Sequence, residues 1–433
     1  MILKMAWLYN LAFIIFLIFS LPVYLLRGKF HRGLLMRLGI FPKGFFAGLQ
    51  KSRPVWLHAV SVGEVNAIAG LVKKLQQEFS EIRLVISTVT PTGNRLAKSL
   101  ARDCDLIIYL PLDLSFITER IVKMVNPQLF ITTETELWPN LLTSLKKQFI
   151  PLALVNGRIS PRSFAGYRLF RFLLKDILGG FSLFCMQSEL DRRRIITLGA
   201  KADKVRVLGN MKFDIDLAAT NGNRNGRGPF ENLASLLGGN GQLIICGSTH
   251  SGEEEIILRI YKDLLLQFDY LRLLIAPRHI ERVEQVEKLV AEAGLSVLKV
   301  SELASRDLLE KNCVLILDTV GELKRLYDLA TIVFIGGSLV RRGGHNIIEP
   351  AFFSKAIIVG PHMFNFADIT RTFLENQAAI QVHDELELLE EIKLLLLSPA
   401  KRDRLGQRAK ETIGHNRGAT GATFDLLRHI IAK

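Results

Sequence analysis

Acidic side chains that could act as a general base lie at two strand-to-helix junctions in the first half of the chain. Glu64 follows a glycine at the start of a helical pattern in HAVSVGEVNAI, and Glu134 and Glu136 end a strand-like run in ITTETELWPN. A carboxylate at the end of a strand, beside the N-terminus of a helix, can accept the proton of a substrate hydroxyl. These junctions are therefore candidates for acid–base chemistry.

Plain structural roles account for the same residues. Ser61 and Glu64 have the spacing of a capping box, in which the two side chains satisfy free N–H groups at the start of a helix. The spacing recurs at residues 251–254 and 319–322, and the pattern alone favours capping at all three places. Glu134 could instead be one half of a buried ion pair with a basic neighbour.

Two basic side chains also follow strand-like runs. Lys212, in GNMKFD, could steady a phosphate or a carboxylate between two domains, although a solvated hinge lysine is more common in general. Arg278, in APRH, leaves a strand-like run in the second half. Its planar guanidinium suits a phosphate or a carboxylate. Both residues are thus candidates for holding an anionic substrate.

The stretch 331–361, TIVFIGGSLVRRGGHNIIEPAFFSKAIIVGP, predicts a strand, a glycine-rich turn, a short helix from 345 to 353 and another strand. Free N–H groups in such a turn and at the helix start suit a phosphate. Glu349 could accept hydrogen bonds from ribose hydroxyls, and the turn in DTVGEL (318–323) could hold a base or a phosphate. The alternative is an ordinary βαβ unit with tight turns. No histidine and carboxylate set has metal-ligand spacing, so no metal is predicted.

These candidates need a particular framework. Continuous apolar strands alternate with helical patterns along the chain, which is typical of doubly wound parallel sheets. A glycine- and asparagine-rich region interrupts the alternation, so we predict two Rossmann-like α/β domains that face each other across a cleft, with ligands at the carboxyl ends of the strands. The predicted divisions are an anchor at 1–30, a first domain at 31–216, a linker at 217–242 and a second domain at 243–433.

The N-terminal run from residue 5 to 26 has no charged side chain and is long enough to span a bilayer. Basic residues follow it closely, which predicts that the bulk of the protein lies on the cytoplasmic side of the membrane. A segment that dips into one leaflet is the alternative. The 433-residue chain has a net charge of +14, which favours an anionic partner such as a lipid surface or a phosphorylated substrate.

Taken together, the motifs resemble the Kdo transferases, membrane-bound enzymes that add 3-deoxy-D-manno-oct-2-ulosonic acid (Kdo) to lipid A precursors. The resemblance runs nearly the whole chain and is carried, in order, by HAVSVGE, STVTPTG, YLPLD, ETELWPN, NGRIS, GNMKFD, GSTH, APRH, DTVGEL, GGSLVRRGGHNIIEP and VGPHMFNF. It implies the two-domain glycosyltransferase fold called GT-B, which agrees with the two domains predicted above.

The resemblance also implies residue roles by position. Glu64 corresponds to the family's proton acceptor, and Glu134 and Lys212 correspond to its transition-state stabilisers. The positions that correspond to the segments binding CMP are Pro277, Arg278, Val320, Gly321, Glu322, Asn346, Ile347, Ile348 and Glu349. Ile347 and Ile348 replace a common Pro-Leu, and Val320 replaces a common Met. Each change keeps an apolar side chain, so nucleotide binding is still expected.

The implied function is an inverting transfer of Kdo from the donor CMP-Kdo to a lipid A precursor (lipid IVA), without a metal. Two rivals remain open on the sequence. A nucleotide-sugar epimerase of the same fold would need no membrane segment and no lipid acceptor. A basic, membrane-tethered binder of RNA or anionic lipid would show steep salt dependence; nothing in the chain resembles an RNA-binding module, so no nucleic-acid partner is expected.

Overall fold

The chain folds into two compact units in a computed structural model. The structure describes residues 33–49, 52–214, 229–238, 241–305 and 309–431, together with some helical positions between 7 and 19. One unit comprises Met1–Asp216 and Asn416–Lys433, and the other comprises Leu217–His415. Each unit is built on its own parallel sheet.

The first unit contains a seven-stranded sheet in the order β3-β2-β1-β4-β5-β6-β7. Its strands run parallel. The five inner strands are buried along their whole length, as strands with both faces covered are, whereas the edge strands β3 and β7 are partly exposed. The strands are β1 (Val55–His58), β2 (Leu84–Thr88), β3 (Leu106–Tyr109), β4 (Leu129–Thr133), β5 (Leu152–Gly157), β6 (Leu183–Met186) and β7 (Val205–Val207). The predicted doubly wound sheet is confirmed here.

The helices of the first unit alternate with these strands. They are α1 (Leu34–Arg37), α2 (Val62–Glu78), α3 (Pro91–Leu100), α4 (Ser115–Val125), α5 (Pro139–Lys147), α6 (Pro161–Leu169), α7 (Arg171–Gly179) and α8 (Glu189–Leu198). Proline is the first residue of α3, α5 and α6, where its missing N–H has no partner to lose.

The second unit has a sheet in the order β10-β11-β9-β8-β12-β13-β14, again parallel. Its strands are β8 (Gln242–Thr249), β9 (Leu271–Pro277), β10 (Ser296–Lys299), β11 (Cys313–Ile316), β12 (Ile332–Ile335), β13 (Ala356–Val359) and β14 (Ile380–Gln381). The sequence did not predict β10, because this short edge strand is only half buried and lacks a continuous apolar run. Apolar runs predict the other six strands at 243–249, 271–277, 314–320, 331–337, 356–361 and 378–382, and a strand is observed at each, although most are shorter and β11 ends at Ile316.

The helices of the second unit, in chain order, are α9 (Pro229–Leu237), α10 (Glu254–Leu265), α11 (Val283–Glu292), α12 (Leu323–Leu326), α13 (Ile348–Phe352), α14 (Ala367–Glu375), α15 (Glu385–Leu397) and α16 (Pro399–Asn416). The predicted linker at 217–242 is only partly described, since residues 215–228 and 239–240 lie outside the described residues. Within it, α9 is helical.

The last helix, α17 (Ala419–Ile431), belongs to the first unit, whereas the predicted second domain ran to residue 433. Gly418, at φ +101°, separates it from α16. Asp214 accepts hydrogen bonds of 2.6 Å from the backbone N–H groups of Gly418 and Thr420. Phe424 packs 6.1 Å from Phe79 between ring centroids. The apolar side of α17 thereby completes the core of the first unit.

The predicted membrane segment at 5–26 lies largely outside the described residues. Among those described, Tyr9 donates a 3.0 Å hydrogen bond to Asp113, and Asn10 bonds to the side chains of Ser115 and Asn140 at 2.8 and 2.7 Å. Within the described part of the chain, no helix is both long enough and apolar enough to cross a bilayer. The membrane span stays a prediction.

Candidate active site

Glu64 lies in the first turn of α2, directly after the carboxyl end of β1. Its side chain is buried, with 7% of the residue exposed. One carboxylate oxygen accepts hydrogen bonds from the N–H of Val60 at 2.9 Å and the hydroxyl of Thr133 at 2.8 Å, and the other accepts from the hydroxyl of Ser61 at 3.3 Å. Thr133 was not identified from the sequence. The available signal was a hydroxyl side chain at the end of the apolar run that forms β4, directly before Glu134.

The capping explanation of Glu64 holds only in part. Ser61 is the N-cap of α2, but its hydroxyl donates to Glu64 and accepts no backbone hydrogen bond, and the bonded N–H belongs to Val60. The capping boxes predicted at 251–254 and 319–322 are wrong, because Glu253 and Glu322 are the N-caps of their helices. Glu64 is therefore held as an acceptor rather than used as an ordinary cap.

Burial raises the pKa of Glu64, and the negative charge of Glu134 raises it further, while the hydrogen bonds from Val60, Thr133 and Ser61 lower it. Burial is the largest of these effects, and the net shift in the pKa of Glu64 is upward. A carboxylate with a raised pKa is a stronger base at neutral pH, provided that it is ionised. The environment of Glu64 thus suits a general base.

Glu134 and Lys212, which the sequence placed 78 residues apart, form an ion pair of 2.8 Å between Oε1 and Nζ. Both side chains are about three-quarters buried, at 22% and 26% exposed. Glu134 directly follows β4 with a left-handed φ of +51°. The alternative proposed for Glu134, an ion pair with a basic neighbour, is therefore observed, and its partner is the other candidate catalytic residue.

Asn156, a residue that the sequence analysis missed, positions the turn that carries Lys212. Its Oδ1 accepts a 2.9 Å hydrogen bond from the N–H of Met211, the first residue of a short 3₁₀ turn, Met211–Phe213. Asn210 accepts a 3.0 Å hydrogen bond from the N–H of Lys212. Asn156 is within the NGRIS motif, so a buried asparagine at the end of an apolar strand was the available signal.

Glu136 adds a third carboxylate to this region. Burial raises its pKa to about 7, and the negative charges of Glu64 and Glu134 contribute to the shift. Like charges close together resist simultaneous ionisation. The three carboxyl groups therefore influence one another's ionisation at the carboxyl edge of the first sheet, and the ammonium of Lys212 neutralises Glu134.

In the second unit, the predicted CMP-binding segments follow neighbouring strands. The strands β11, β9, β8 and β12 lie side by side in that order, and the segments after them therefore line one edge of the sheet. Pro277 ends β9, and the N–H of Arg278 donates to the carbonyl of Thr249 at 3.0 Å. Val320 is 84% exposed, and Gly321 has a φ of +91° that favours glycine.

An ion pair connects two of these segments. Lys324 lies just after the 320–322 turn and contacts Glu349 at 3.4 Å. Asn346 donates to Glu349 at 3.3 Å and accepts from the N–H of Ile348 at 3.0 Å. Ile347 and Ile348 are buried, which agrees with their apolar replacement of the family's usual pair. The pair of Lys324 and Glu349 thus brings the segments at 320–322 and 346–349 together, and their role in binding CMP stays a prediction.

The glycine-rich turn after β12 does not offer free amides as predicted. Glu253, which is fully buried, accepts hydrogen bonds from the N–H groups of Gly337 (2.6 Å), Ser338 (3.0 Å) and Leu339 (3.0 Å). Helix α13 begins at Ile348 rather than 345, and its first N–H bonds to Asn346. The prediction that these N–H groups face a phosphate is wrong, because an internal carboxylate occupies them.

Three histidines collect beside Arg278. The Nε2 atoms of His250 and His345 are 3.0 Å apart, their rings are stacked, and His279 lies 6.0 Å from His250 between centroids. Burial, followed by the positive charge of Arg278, lowers the pKa of His345 to about 4. His345 is therefore neutral at pH 7, so Arg278 supplies the permanent charge. Within the described residues, no group of three or more metal-binding side chains is arranged to hold a metal ion.

Comparison with known proteins identifies the family. The sequence profile of the 3-Deoxy-D-manno-octulosonic-acid transferase (kdotransferase) family matches residues 32–215. A 3-deoxy-D-manno-octulosonic acid transferase of Haemophilus influenzae is 37% identical over 389 residues, which cover 89% of each chain. The chain belongs to the Kdo transferase family. It is therefore a glycosyltransferase, as the motifs indicated.

Likeness to solved structures shows the GT-B fold alone. MurG from Acinetobacter baumannii aligns with a TM-score of 0.53 and 15% identity, over 87% of this chain and 99% of that one. A UDP-GlcNAc 2-epimerase from Neisseria meningitidis, bound to UDP-GlcNAc, aligns with a TM-score of 0.57 and 13% identity, over 87% and 100%. Since an epimerase shares the fold, family membership decides between the two enzyme classes, and it favours the transferase over the predicted rival.

Proposed function

We propose that this Kdo transferase moves Kdo from CMP-Kdo to the lipid A precursor lipid IVA with inversion at the anomeric carbon, and that Glu64 is the general base. The observation that carries the proposal is the environment of Glu64. Its carboxylate is buried at the end of β1, its pKa is raised, and the Glu134–Lys212 ion pair belongs to the same charge balance.

In the proposed chemical step, the carboxylate that these donors hold acts on the acceptor sugar. The carboxylate removes the proton of a glucosamine hydroxyl while that oxygen bonds to the anomeric carbon of Kdo. The bond from that carbon to the CMP phosphate oxygen breaks, and its electron pair leaves with the phosphate. A single displacement from the opposite side inverts the configuration. Thr133, Ser61 and the N–H of Val60 keep the carboxylate in one orientation. Less entropy is therefore lost when the reactive geometry forms.

Charge stabilisation is assigned to two cations. Arg278 follows β9 at the edge where the predicted CMP-binding segments meet, and a guanidinium suits the phosphate of the departing nucleotide. Lys212 would balance either the carboxylate of Kdo or the leaving phosphate. Since Lys212 is held by Glu134, its ammonium is positioned before substrate arrives and needs little reorganisation.

On the donor side, the segment 320–322 would enclose the cytidine, and Glu349 would accept hydrogen bonds from ribose hydroxyls. Glu349 is mostly buried, with 16% of its side chain exposed, and Lys324 and Asn346 fix its carboxylate. A fixed acceptor of this kind can distinguish a ribose from a sugar without both hydroxyls.

We also propose that the enzyme works at the cytoplasmic face of the inner membrane. The proposed acceptor is a lipid, the net charge of +14 favours an anionic surface, and the sequence has an uncharged apolar run at 5–26. Inner-membrane lipids are thus expected partners.

The deciding experiment replaces Glu64 by glutamine, which keeps the shape of the side chain and removes its basicity. Glu64→Gln should lower kcat for Kdo transfer by about 10²- to 10⁴-fold, while CMP affinity and the unfolding midpoint stay near those of the parent enzyme. Glu78→Gln, an exposed change on the same helix, is the control and should keep full activity. Near-normal turnover by a folded Glu64→Gln enzyme would remove the base assignment.

The product identifies the acceptor and the stereochemistry. The purified enzyme, CMP-Kdo and lipid IVA should give a product heavier by one or more Kdo residues, and NMR of the new linkage should show inversion relative to the donor. A retained configuration would reject the single displacement. Release of free Kdo without any Kdo-bearing lipid product would reject the proposed acceptor.

A further inference from the structure

A cavity of about 500 Å³ lies in the first unit, between the segment 39–49 and the C-terminal half of α4. Three aromatic rings form one wall. Phe41 lies 5.2 Å from Phe45 and 4.7 Å from Phe46 between centroids, and Phe45 lies 5.0 Å from Phe46. Met124 lines the cavity from α4. A volume of this size is typical of sites for small organic ligands.

Two cations stand at the edge of the same cavity. Arg120 and Lys123 line it and are exposed to solvent. Neither forms an ion pair with any described residue, whereas the adjacent carboxylate, Glu119, is bonded to Lys147 at 2.7 Å. The cavity thus combines an aromatic wall with an unneutralised positive edge, which complements an amphiphile with an anionic head.

The cavity lies away from the candidate base. Helix α4 connects β3 to β4, and since both strands belong to one parallel sheet, α4 runs back toward the edge where the strands begin. The cavity is at the end of α4, near Val125 and Asn126. Glu64, in contrast, follows the carboxyl end of β1, so the cavity is at the opposite edge of the sheet and is not part of the site described above.

An exposed apolar strip leads to the cavity along the chain. Leu35, Leu38 and Ile40 are 57%, 40% and 53% exposed, and they directly precede the lining residue Phe41. Large apolar side chains exposed next to basic residues are a feature of surfaces that meet lipid headgroups. The strip adjoins the cavity through Gly39 and Phe41, which both line it.

We propose that this cavity binds one acyl chain of an anionic membrane phospholipid, with the lipid phosphate between Arg120 and Lys123. The chain would pack on the Phe41, Phe45 and Phe46 wall. The site goes beyond the proposed transfer and depends neither on Glu64 nor on the identity of the acceptor. It would fix which face of the first unit lies against the bilayer.

Binding of a short-chain lipid to the full-length enzyme tests the proposal. Dihexanoyl-phosphatidylglycerol should bind at one saturable site, measured by titration calorimetry below its micelle concentration. Glycerol 3-phosphate, which has the anionic group without chains, and dihexanoyl-phosphatidylcholine, which has the chains without net charge, should each bind at least about tenfold more weakly.

Variants locate the site. Arg120→Glu combined with Lys123→Glu should weaken phosphatidylglycerol binding at least about tenfold, whereas Lys262→Glu with Arg404→Glu, an equal change of exposed charge on the second unit, should stay within about twofold. Met124→Trp, which narrows the cavity without changing charge, should also weaken binding; Leu266→Trp, at an 84% exposed position, should not. Kdo transfer in detergent should be unchanged in the charge variant.

Several results would overturn the proposal. Equal binding of glycerol 3-phosphate would indicate a site for a free anion only. Equal affinity of the Arg120/Lys123 variant and its control would place the lipid elsewhere. No saturable binding by the parent enzyme would mean that the chain itself fills the cavity or that it stays empty. Each of these results leaves the Glu64 proposal intact, because that one is measured by turnover.

Discussion

At the scale of single residues, the charge balance around Glu64 decides how it can behave. Glu134 and Glu136 both affect the group, and Glu134 is paired with Lys212. Burial makes an ionised carboxylate unfavourable, and a neighbouring cation compensates for part of that effect. Lys212 pairs with Glu134, whose negative charge raises the pKa of Glu64, so we expect Lys212 to influence Glu64 indirectly, through Glu134.

Replacing Lys212 should change the pH profile as well as the rate. Lys212→Gln removes a cation near the carboxylates, which raises the pKa of Glu64, so we expect the acid limb of kcat/KM to move up by about 1 pH unit. Lys212→Arg keeps the charge and should restore the limb. Lys201→Gln, at an exposed position, is the control. A lower rate with an unmoved limb in Lys212→Gln would indicate a role limited to substrate binding or to structure.

Glu136 should make the stability of the first unit depend on pH. Its pKa is raised from 4.5 to about 7, so between these values the folded unit holds a proton that the unfolded chain releases. The stability that Glu136 contributes therefore falls as the pH rises through this window. We expect Glu136→Gln to stabilise the first unit at pH 8 by on the order of 1 kcal/mol, with little effect below pH 4.5.

Tryptophan fluorescence can follow this effect in one unit, because Trp7, Trp56 and Trp138, the three tryptophans of the chain, all lie in the first unit. Thermal unfolding of Glu136→Gln would be compared with Glu81→Gln, an exposed change. An equal midpoint shift at both pH values would show that the carboxylate does not titrate in this window.

At the scale of elements, one loop of the second unit is organised by a single side chain. Glu253 precedes α10 and bonds to three consecutive amides after β12 and to the N–H of His250 at 3.0 Å. Gly337 has a φ of +67°, which lets the amides converge on one carboxylate. The same loop continues to His345 and Glu349, so its shape fixes part of the candidate nucleotide site.

Glu253→Gln should destabilise the second unit by about 2–4 kcal/mol, because an amide presents N–H groups to backbone N–H donors that need an acceptor. Hydrogen exchange should show faster opening of β12 and α10, and CMP affinity should fall. The tryptophan unfolding midpoint should stay unchanged, and Glu292→Gln, an exposed glutamate, should change neither. Unaltered exchange in Glu253→Gln would mean that the loop does not need the charge.

Element types were accessible from the sequence to a large extent. Continuous apolar runs such as 271–277 indicate strands, because a strand of a parallel sheet is buried on both faces. Proline at residues 91 and 161 is typical of the first position of a helix, and helices α3 and α6 begin there. The edge strand β10 was not predicted, because a half-buried strand lacks a continuous apolar run. The capping boxes misled at 251–254 and 319–322 because a three-residue spacing does not tell where the backbone becomes helical.

At the scale of the whole molecule, a net charge of +14 should dominate the first encounter with a membrane. Attraction to anionic lipid is screened as salt rises, whereas burial of apolar side chains is not. If the enzyme works at a membrane as proposed, its affinity for that surface should have two separable terms, one electrostatic and one apolar.

Co-sedimentation should separate these terms. Binding to phosphatidylglycerol vesicles should fall about tenfold between about 0.05 and 0.5 M NaCl, and the salt-resistant remainder should match binding to phosphatidylcholine vesicles, which have no net charge. Binding that is independent of both salt and lipid charge would assign membrane association to the apolar segment alone.

The sequence by itself determined the family, the two Rossmann-like sheets and the strand ends that carry the candidate residues, because hydrophobic period, turn glycines and ordered motifs are local properties of the chain. Tertiary structure alone decided which groups are partners: Lys212 with Glu134, 78 residues apart, and Glu253 with three amides 84 to 86 residues away. It also decided that α17 returns to the first unit. A buried charged group pairs with whichever group the tertiary fold brings close to it. The residues around it in the sequence do not show which group that is.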